Sequence, residues 1–144
     1  MTHYTSSSGW YSLALPGGWT AERSGNLVTF YHPNAVSEGW GGALQLSAFS
    51  VPENAEVDLA TEFTKYLRDK ISGITNQDIQ SEKTGEYETA SFGFFGKEDG
   101  RYWVFWMLSK TPRLILASYN CPADSAGREK ADIESIIASL SIQA

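Results

Sequence analysis

Apolar and polar residues alternate along much of the chain, and this alternation predicts strands. In "YSLAL", Tyr11, Leu13 and Leu15 fall on one face and the residues between them on the other, which is typical of a half-buried strand. The stretch "WTAERSGNLVTFYHP" predicts a hairpin of two short strands around Ser24-Gly25-Asn26. Residues 43–51, "ALQLSAFSV", predict another strand, and residues 34–42 before them predict a loop.

Two stretches change to the helical period. Apolar residues recur at every fourth position from Leu59 to Ile71, which predicts an amphipathic helix of about four turns. Gly73 is a suitable stop for it. Residues 124–140 predict a closing helix that Asp124 or Ser125 could cap. The apolar stripe of that helix comprises Ile133, Ile136, Ile137 and Leu140.

The second half of the chain predicts consecutive strands. Residues 87–95, 101–110 and 113–120 are strand-like, and a shorter strand is expected near residues 79–83. The first two are joined by a segment ending in Asp99-Gly100 and the next two by Thr111-Pro112. Both junctions contain residues that favour tight turns.

The segment "RYWVFWMLSK" is apolar on both faces. Tyr102 and Trp106 share one face, while Trp103 and Phe105 share the other. Strands of this kind need cover on both sides, so we expect a core strand with Trp103 and Trp106 buried on opposite faces. The predicted fold class is α+β, an antiparallel meander sheet with helices packed on both faces. The alternative for the aromatic cluster is an incompletely covered part of the sheet that binds an apolar partner.

Length and charge limit the possible functions. The 144 residues suit a single domain, 1–144, in which residues 1–9 are expected to form a loose lead-in. Lys and Arg number 11 against 17 Asp and Glu, giving a net charge of −6, and nucleic-acid binding is therefore not expected. A single cysteine, no visible signal segment and no apolar run of membrane-spanning length predict a cytoplasmic protein without membrane insertion.

Few residues suggest catalysis. Cys121 and His32 could form a dyad, but the preferred interpretation is a buried or half-buried thiol and a surface histidine. Glu86 and Glu88 could act as an acid and base pair, or could simply face solvent. The spacing of His, Cys, Asp and Glu matches no metal site, and the glycine-rich stretches match no phosphate cradle. We therefore expect no enzyme, no metal and no cofactor.

Three aromatic residues are the predicted partner-binding residues: Trp40, Trp10 and Phe49. Trp40 lies between Gly39 and Gly41 in a polar segment that offers it little local support. An aromatic ring in this setting can anchor a partner. It can also fold back as a lid over the sheet edge, and the sequence leaves both interpretations open.

The order of these segments resembles the Mog1/PsbP-like superfamily, including its bacterial members. The resemblance runs from about Gly9 to Ile142 and includes "LPGGW", "NLVTFYHP", "GALQLSAFSV" and a closing helix with "IIASL". It implies an α/β/α sandwich with an antiparallel sheet and mostly non-catalytic roles. Known relatives bind a small GTPase, sit on a photosystem or act as adaptor chaperones. No functional residue of those relatives carries over to this sequence.

The sequence therefore predicts a small, soluble, non-enzymatic binding or adaptor domain. Its expected partner is a protein, and its expected state is a monomer or homodimer. The alternative function is small-molecule binding in an apolar pocket between sheet and helix, lined by residues such as Phe63, Trp103 and Phe105.

Overall fold

The computed structural model describes residues 2–52, 58–84 and 87–143. These residues form an α+β fold with one seven-stranded sheet, one three-stranded sheet and three α-helices. The strands are β1 (Thr2–Thr5), β2 (Tyr11–Leu15), β3 (Thr20–Ser24), β4 (Leu27–Tyr31), β5 (Ala43–Ser50), β6 (Gln80–Thr84), β7 (Tyr87–Phe95), β8 (Arg101–Lys110), β9 (Arg113–Pro122) and β10 (Ser141–Ile142). The helices are α1 (Pro33–Ser37), α2 (Leu59–Arg68) and α3 (Lys130–Ala138).

Every strand pair is antiparallel. The large sheet has the order β3-β4-β5-β9-β8-β7-β6, and the small sheet has the order β1-β2-β10. Strands from the C-terminal half therefore lie at the centre, as the two-sided apolar pattern predicts. The hairpin between β3 and β4 turns at Gly25, whose φ of 59° lies in the left-handed region that glycine adopts readily.

The two faces of the large sheet are covered by different elements. We call one the α3 face; its core joins Leu46 and Ile115 of the large sheet to Leu13 of the small sheet and to Ile136 of α3. The small sheet supplies much of this cover, a layer that the sequence did not predict. We call the other the α2 face, where Phe63 of α2 packs among residues of β7 and β8.

Some elements differ from expectation. Residues Thr2–Thr5 are not a loose lead-in; they form β1, paired with β2 so that Thr2 lies opposite Leu15. Backbone pairing at a sheet edge needs no apolar side chains, so the polar composition hid this strand. The expected loop at 34–42 contains α1, because His32 caps the helix and Pro33 occupies its first turn.

Both long helices are shorter than predicted. Helix α2 ends at Arg68, before the predicted stop at Gly73. Helix α3 begins at Lys130, because residues Ala123–Ser125 form a separate 3₁₀ turn. The predicted stripe remains in place, with Ile133, Ile136 and Leu140 buried.

Candidate functional site

A groove runs between α3 and strands β6 to β8 on the α3 face. It consists of two adjoining cavities of about 540 and 340 Å³. Both are lined by Gln80, Ser91, Trp106 and Glu134. We call this feature the α3 groove. It exists because the small sheet and α3 cover the part of this face formed by β5 and β9, and leave the outer strands partly open.

Side chains on one side of β8 form the floor of the groove. Tyr102, Val104 and Trp106 point to the same side of β8 and line it. On β7, Ser91 lies opposite Trp106 and Gly93 lies opposite Val104. A Cβ atom at Gly93 would lie 3.0 Å from the Tyr102 hydroxyl. Small residues on β7 therefore leave space beside large rings on β8.

The aromatic floor is not sealed. Trp106 and Tyr102 are half-buried, whereas Phe105 on the opposite face is only 5% exposed. Beyond the groove, Phe95 is 60% exposed, and its ring centroid lies 4.8 Å from that of Tyr102. A row of accessible aromatic surface therefore continues from the groove onto the end of β7.

The charged residues of the groove are mostly acidic. Asp78, Glu82 and Glu134 line it together with Lys130. Lys130 Nζ lies 3.9 Å from a Glu134 oxygen, and both side chains are largely exposed. The lining therefore has a formal charge of −2.

Helix α3 is held at its N-terminal end by a buried carboxylate. Glu129 is 4% exposed and accepts hydrogen bonds from the Gly42 N–H and the Tyr119 hydroxyl, each at 2.7 Å. Burial, followed by the hydrogen bond to Glu129, raises the pKa of Tyr119. Tyr119 also lines the groove. The start of α3 is thereby tied to β5 and β9.

The C-terminal end of α3 is also fixed. The Tyr87 hydroxyl donates to the Ile137 carbonyl over 3.2 Å, and the Ala14 N–H donates to Ser139 Oγ over 2.9 Å. Tyr87 and Ile137 both line the groove. With contacts at both ends, α3 forms a groove wall that is already in position before any ligand arrives.

The predicted partner-binding residues lie outside the groove. Trp40 is half-buried, donates to Glu38 over 2.8 Å, and lies under the guanidinium of Arg128, 4.0 Å from the ring centroid. Arg113 lies 4.2 Å from the ring centroid of Trp10, and Phe49 is 42% exposed.

These three residues do not form one surface. Trp40 precedes the start of β5 and Phe49 lies near its end, so about 20 Å of strand separates their positions. Trp10 lies beside Arg113, which pairs with Ser50 at the Phe49 end of β5.

The candidate catalytic residues occupy positions that do not suit catalysis. Cys121 is completely buried, and burial raises the pKa of its thiol, which disfavours a thiolate nucleophile. His32 Nδ1 accepts the Ala35 N–H at the start of α1. Glu88 is exposed on β7, and Glu86 lies outside the described residues. Within the described ranges, no three His, Cys, Asp or Glu side chains cluster as metal ligands.

The prediction of an apolar pocket around Phe63 is wrong in its position. Phe63 is fully buried, and the Trp103 ring stacks on Phe105 with centroids 5.6 Å apart, so this region is packed. The groove lies on the opposite face. Trp103 and Trp106 point to opposite faces as predicted, and both rings are half-buried, so part of each stays accessible.

Sequence reasoning missed most of the groove lining. Gln80, Ser91, Lys130 and Glu134 have no local pattern that links them, because a tertiary approach of α3 to the sheet brings them together. One signal was present: Gly93 lies between Phe92 and Phe94, inside a predicted strand. A glycine inside a strand often marks a place that another group approaches closely.

No protein-family model matches the chain, and no protein with a curated function is detectably similar to it in sequence. Solved structures do match. A crystal structure from Bacteroides thetaiotaomicron VPI-5482 superposes with a TM-score of 0.73 and 22% identity over 99% of this chain, which spans 48% of that protein.

Two other neighbours have informative names. The solution structure of cyanobacterial PsbP (CyanoP) from Synechocystis sp. PCC 6803 gives a TM-score of 0.68 at 13% identity, covering 99% of this chain and 92% of that one. The crystal structure of LpqN, involved in cell envelope biogenesis of Mycobacterium tuberculosis, gives 0.63 at 10%, covering 99% and 90%. The chain therefore has the PsbP-like fold that the sequence resemblance implied.

These likenesses concern the fold alone. Across the described residues, no helix is long and apolar enough to cross a membrane. The cytoplasmic location stays a prediction from the sequence.

Proposed function

We propose that this domain is a non-enzymatic binding or adaptor module that holds a segment of a protein partner in the α3 groove. The observation that carries the proposal is the half-buried pair Tyr102 and Trp106 on the floor of a groove that is open to solvent. Large aromatic rings dominate the energetics of protein interfaces when a partner covers them.

The geometry of the wall supports the same function. Hydrogen bonds at Glu129 and Tyr87 hold the two ends of α3 against the sheet. A site formed in advance loses less conformational entropy when it binds. Helix α3 has nine residues, about 13 Å of helix, and this length matches about four residues of an extended segment.

Affinity capture from the native host tests this proposal. The wild-type domain is compared with Gly93→Val, which fills the space beside Tyr102, and with Phe49→Ala as a matched control outside the groove. We expect one partner to be retained by wild type and Phe49→Ala and lost with Gly93→Val. Retention by Gly93→Val with loss on Phe49→Ala or Trp40→Ala would instead place binding at the aromatic residues singled out in the sequence.

A second candidate function is small-molecule binding. The larger cavity, about 540 Å³, falls within the usual range for ligand pockets. Native-state mass spectrometry of the purified protein distinguishes the two functions. A retained metabolite that Gly93→Val removes favours the small-molecule function, whereas an empty domain that captures a protein favours the adaptor.

A further inference from the structure

We infer, building on the proposed function, that the partner segment binds as an added β-strand along the outer edge of β6, with alternate side chains directed into the α3 groove. Three features of the described residues carry the inference. They are the end position of β6 in the sheet, the direction of its backbone groups, and the reach of the groove to this edge.

Strand β6 ends the large sheet beside the groove. It pairs with β7 on one side only, and the side chains of residues 80–83 are all exposed. The outer edge of such a strand carries a row of N–H and C=O groups with which a further strand can pair. Several classes of binding domain hold extended peptides in this way.

The hydrogen-bond pattern of the sheet identifies the residues of β6 that face outward. The Gly96 N–H donates to the Arg101 carbonyl over 2.7 Å, and residues that bond the same neighbouring strand recur at every second position. Even-numbered residues of β7 therefore bond β8, and odd-numbered residues of β7 bond the even-numbered residues opposite them on β6. The backbone groups of Ser81 and Lys83 consequently point away from the sheet. Among the described residues, neither has a backbone partner on that side.

The α3 groove reaches this edge. Consecutive residues of a strand point to opposite faces, so a cavity above one face ordinarily touches every second residue. Gln80, Ser81 and Glu82 are consecutive, yet all three line the smaller cavity. Ser81 lies opposite Ala90, which packs on the α2 face. The cavity therefore meets the backbone of β6 as well as its side chains.

The groove also selects the side chains of the added strand. Such a strand would lie about 4.8 Å from β6, and its residues opposite Gln80 and Glu82 would project onto the α3 face. There the small side chain of Ser91 leaves space in front of the half-buried Trp106 ring. The segment that fits is an extended polypeptide with large apolar side chains at every second position.

The opposite edge of the sheet provides a matched control. The same alternation, followed through β9, β5 and β4, directs the backbone groups of Ala21 and Arg23 on β3 outward. None of the described residues of β3 lines the α3 groove. Arg23 and Lys83 are both exposed basic residues on edge strands, so the same substitution can be made at each.

The probe is a pool of capped hexapeptides with leucine or phenylalanine at alternate positions and degenerate residues between them. Retention on the whole chain is measured by affinity selection and mass spectrometry. Lys83→Pro removes an outward N–H donor and keeps the N–H groups that bond β7. Arg23→Pro makes the same change at the other edge, and Lys83→Gln removes only the charge.

We expect wild type, Lys83→Gln and Arg23→Pro to retain the pool, and Lys83→Pro to retain about tenfold less, the effect of one lost backbone hydrogen bond. Equal retention by Lys83→Pro and wild type, no retention by wild type, or an equal loss with Arg23→Pro would overturn the inference. If Gly93→Val abolishes retention while Lys83→Pro keeps it, the segment binds in the groove without pairing, and the proposed function survives. Retention that neither variant changes contradicts both.

Amide exchange in the wild-type protein gives a second measurement that needs no proline variant. Exchange of single amides is followed by NMR with the pool at about ten times its dissociation constant. We expect exchange of the Ser81 and Lys83 amides to slow about tenfold, because only the free fraction exchanges, and the Ala21 and Arg23 amides to be unaffected. Unchanged exchange at Ser81 and Lys83 in a sample that binds the pool would refute the added strand.

Discussion

The guanidinium of Arg128 lies over the ring of Trp40, 4.0 Å from its centroid. The indole N–H of the same ring donates to Glu38. These contacts support a tryptophan that glycine neighbours would otherwise leave without local scaffolding. Arg128 directly follows Gly127, which lines the α3 groove. Trp40 therefore stays a candidate contact, with a structural role in addition.

A double-mutant cycle measures that structural role. We expect Trp40→Ala and Arg128→Ala to show a coupling energy of about 0.5–1 kcal/mol in chemical denaturation, the usual strength of an accessible cation–π pair. The cycle uses the two single variants and the double variant. Strict additivity would show that the stacked geometry contributes nothing to stability.

The buried Glu129 should be essential for stability. Its removal in Glu129→Ala leaves the Gly42 N–H and the Tyr119 hydroxyl without their acceptor. Each unsatisfied buried group costs about 1–3 kcal/mol, so we expect a loss on the order of 3 kcal/mol in urea unfolding. Glu134→Ala, on the exposed side of the same helix, should change the free energy of unfolding by less than about 0.5 kcal/mol. Similar values for both variants would refute the structural role of Glu129.

Gly42 should tolerate no side chain. A Cβ atom there would collide with the Asn120 carbonyl oxygen and would lie 2.8 Å from the Tyr119 ring. Overpacking of this kind costs about 1–3 kcal/mol, and we expect a loss of this size for Gly42→Ala. Gly17→Ala is the matched control, because nothing lies within 4 Å of its Cβ position. Thermal melts that do not separate the two variants would contradict the close approach of β5 and β9.

The pKa of the Asp99 carboxylate measures its hydrogen bond from the Trp103 indole. The Trp103 indole N–H donates to Asp99 over 2.8 Å, and this bond, together with the Arg101 N–H, lowers the Asp99 pKa below its ordinary 3.8. Because the pKa of Asp99 is lowered in the folded state, the contact stabilises the fold at pH values above the ordinary pKa. This stabilisation is lost as the pH falls through the lowered pKa. We expect Trp103→Phe to raise the Asp99 midpoint in an NMR titration. An unchanged midpoint would show that the indole bond does not form in solution.

Much of the fold could be predicted because its signals are local. Leu44, Leu46 and Ala48 alternate in β5 and are all buried, and the Asp99-Gly100 turn separates β7 from β8 as predicted. Strand β1 escaped prediction because most of its residues are polar and it is held by its pairing with β2, which leaves no apolar alternation in the sequence.

The candidate site was much less predictable. The sequence identified the aromatic cluster, but the main interpretation was that its rings lie in the core. Alternation alone cannot show how far α3 extends across the sheet. The position of α3 depends on Glu129 reaching Gly42, 87 residues away. Contacts over that separation leave no periodic pattern in the chain, and the acidic lining could not be inferred either.

Site-specific photo-crosslinking tests the central claim, binding in the α3 groove, most directly. A benzophenone amino acid replaces Glu134 on the groove wall in one variant and Glu62 on α2 in another; both are exposed helical glutamates. Each variant is irradiated in the native host, and the covalent products are identified by mass spectrometry. We expect one protein partner to be crosslinked from position 134 and not from position 62. Crosslinks from position 62 alone, or equally from both positions, would contradict it.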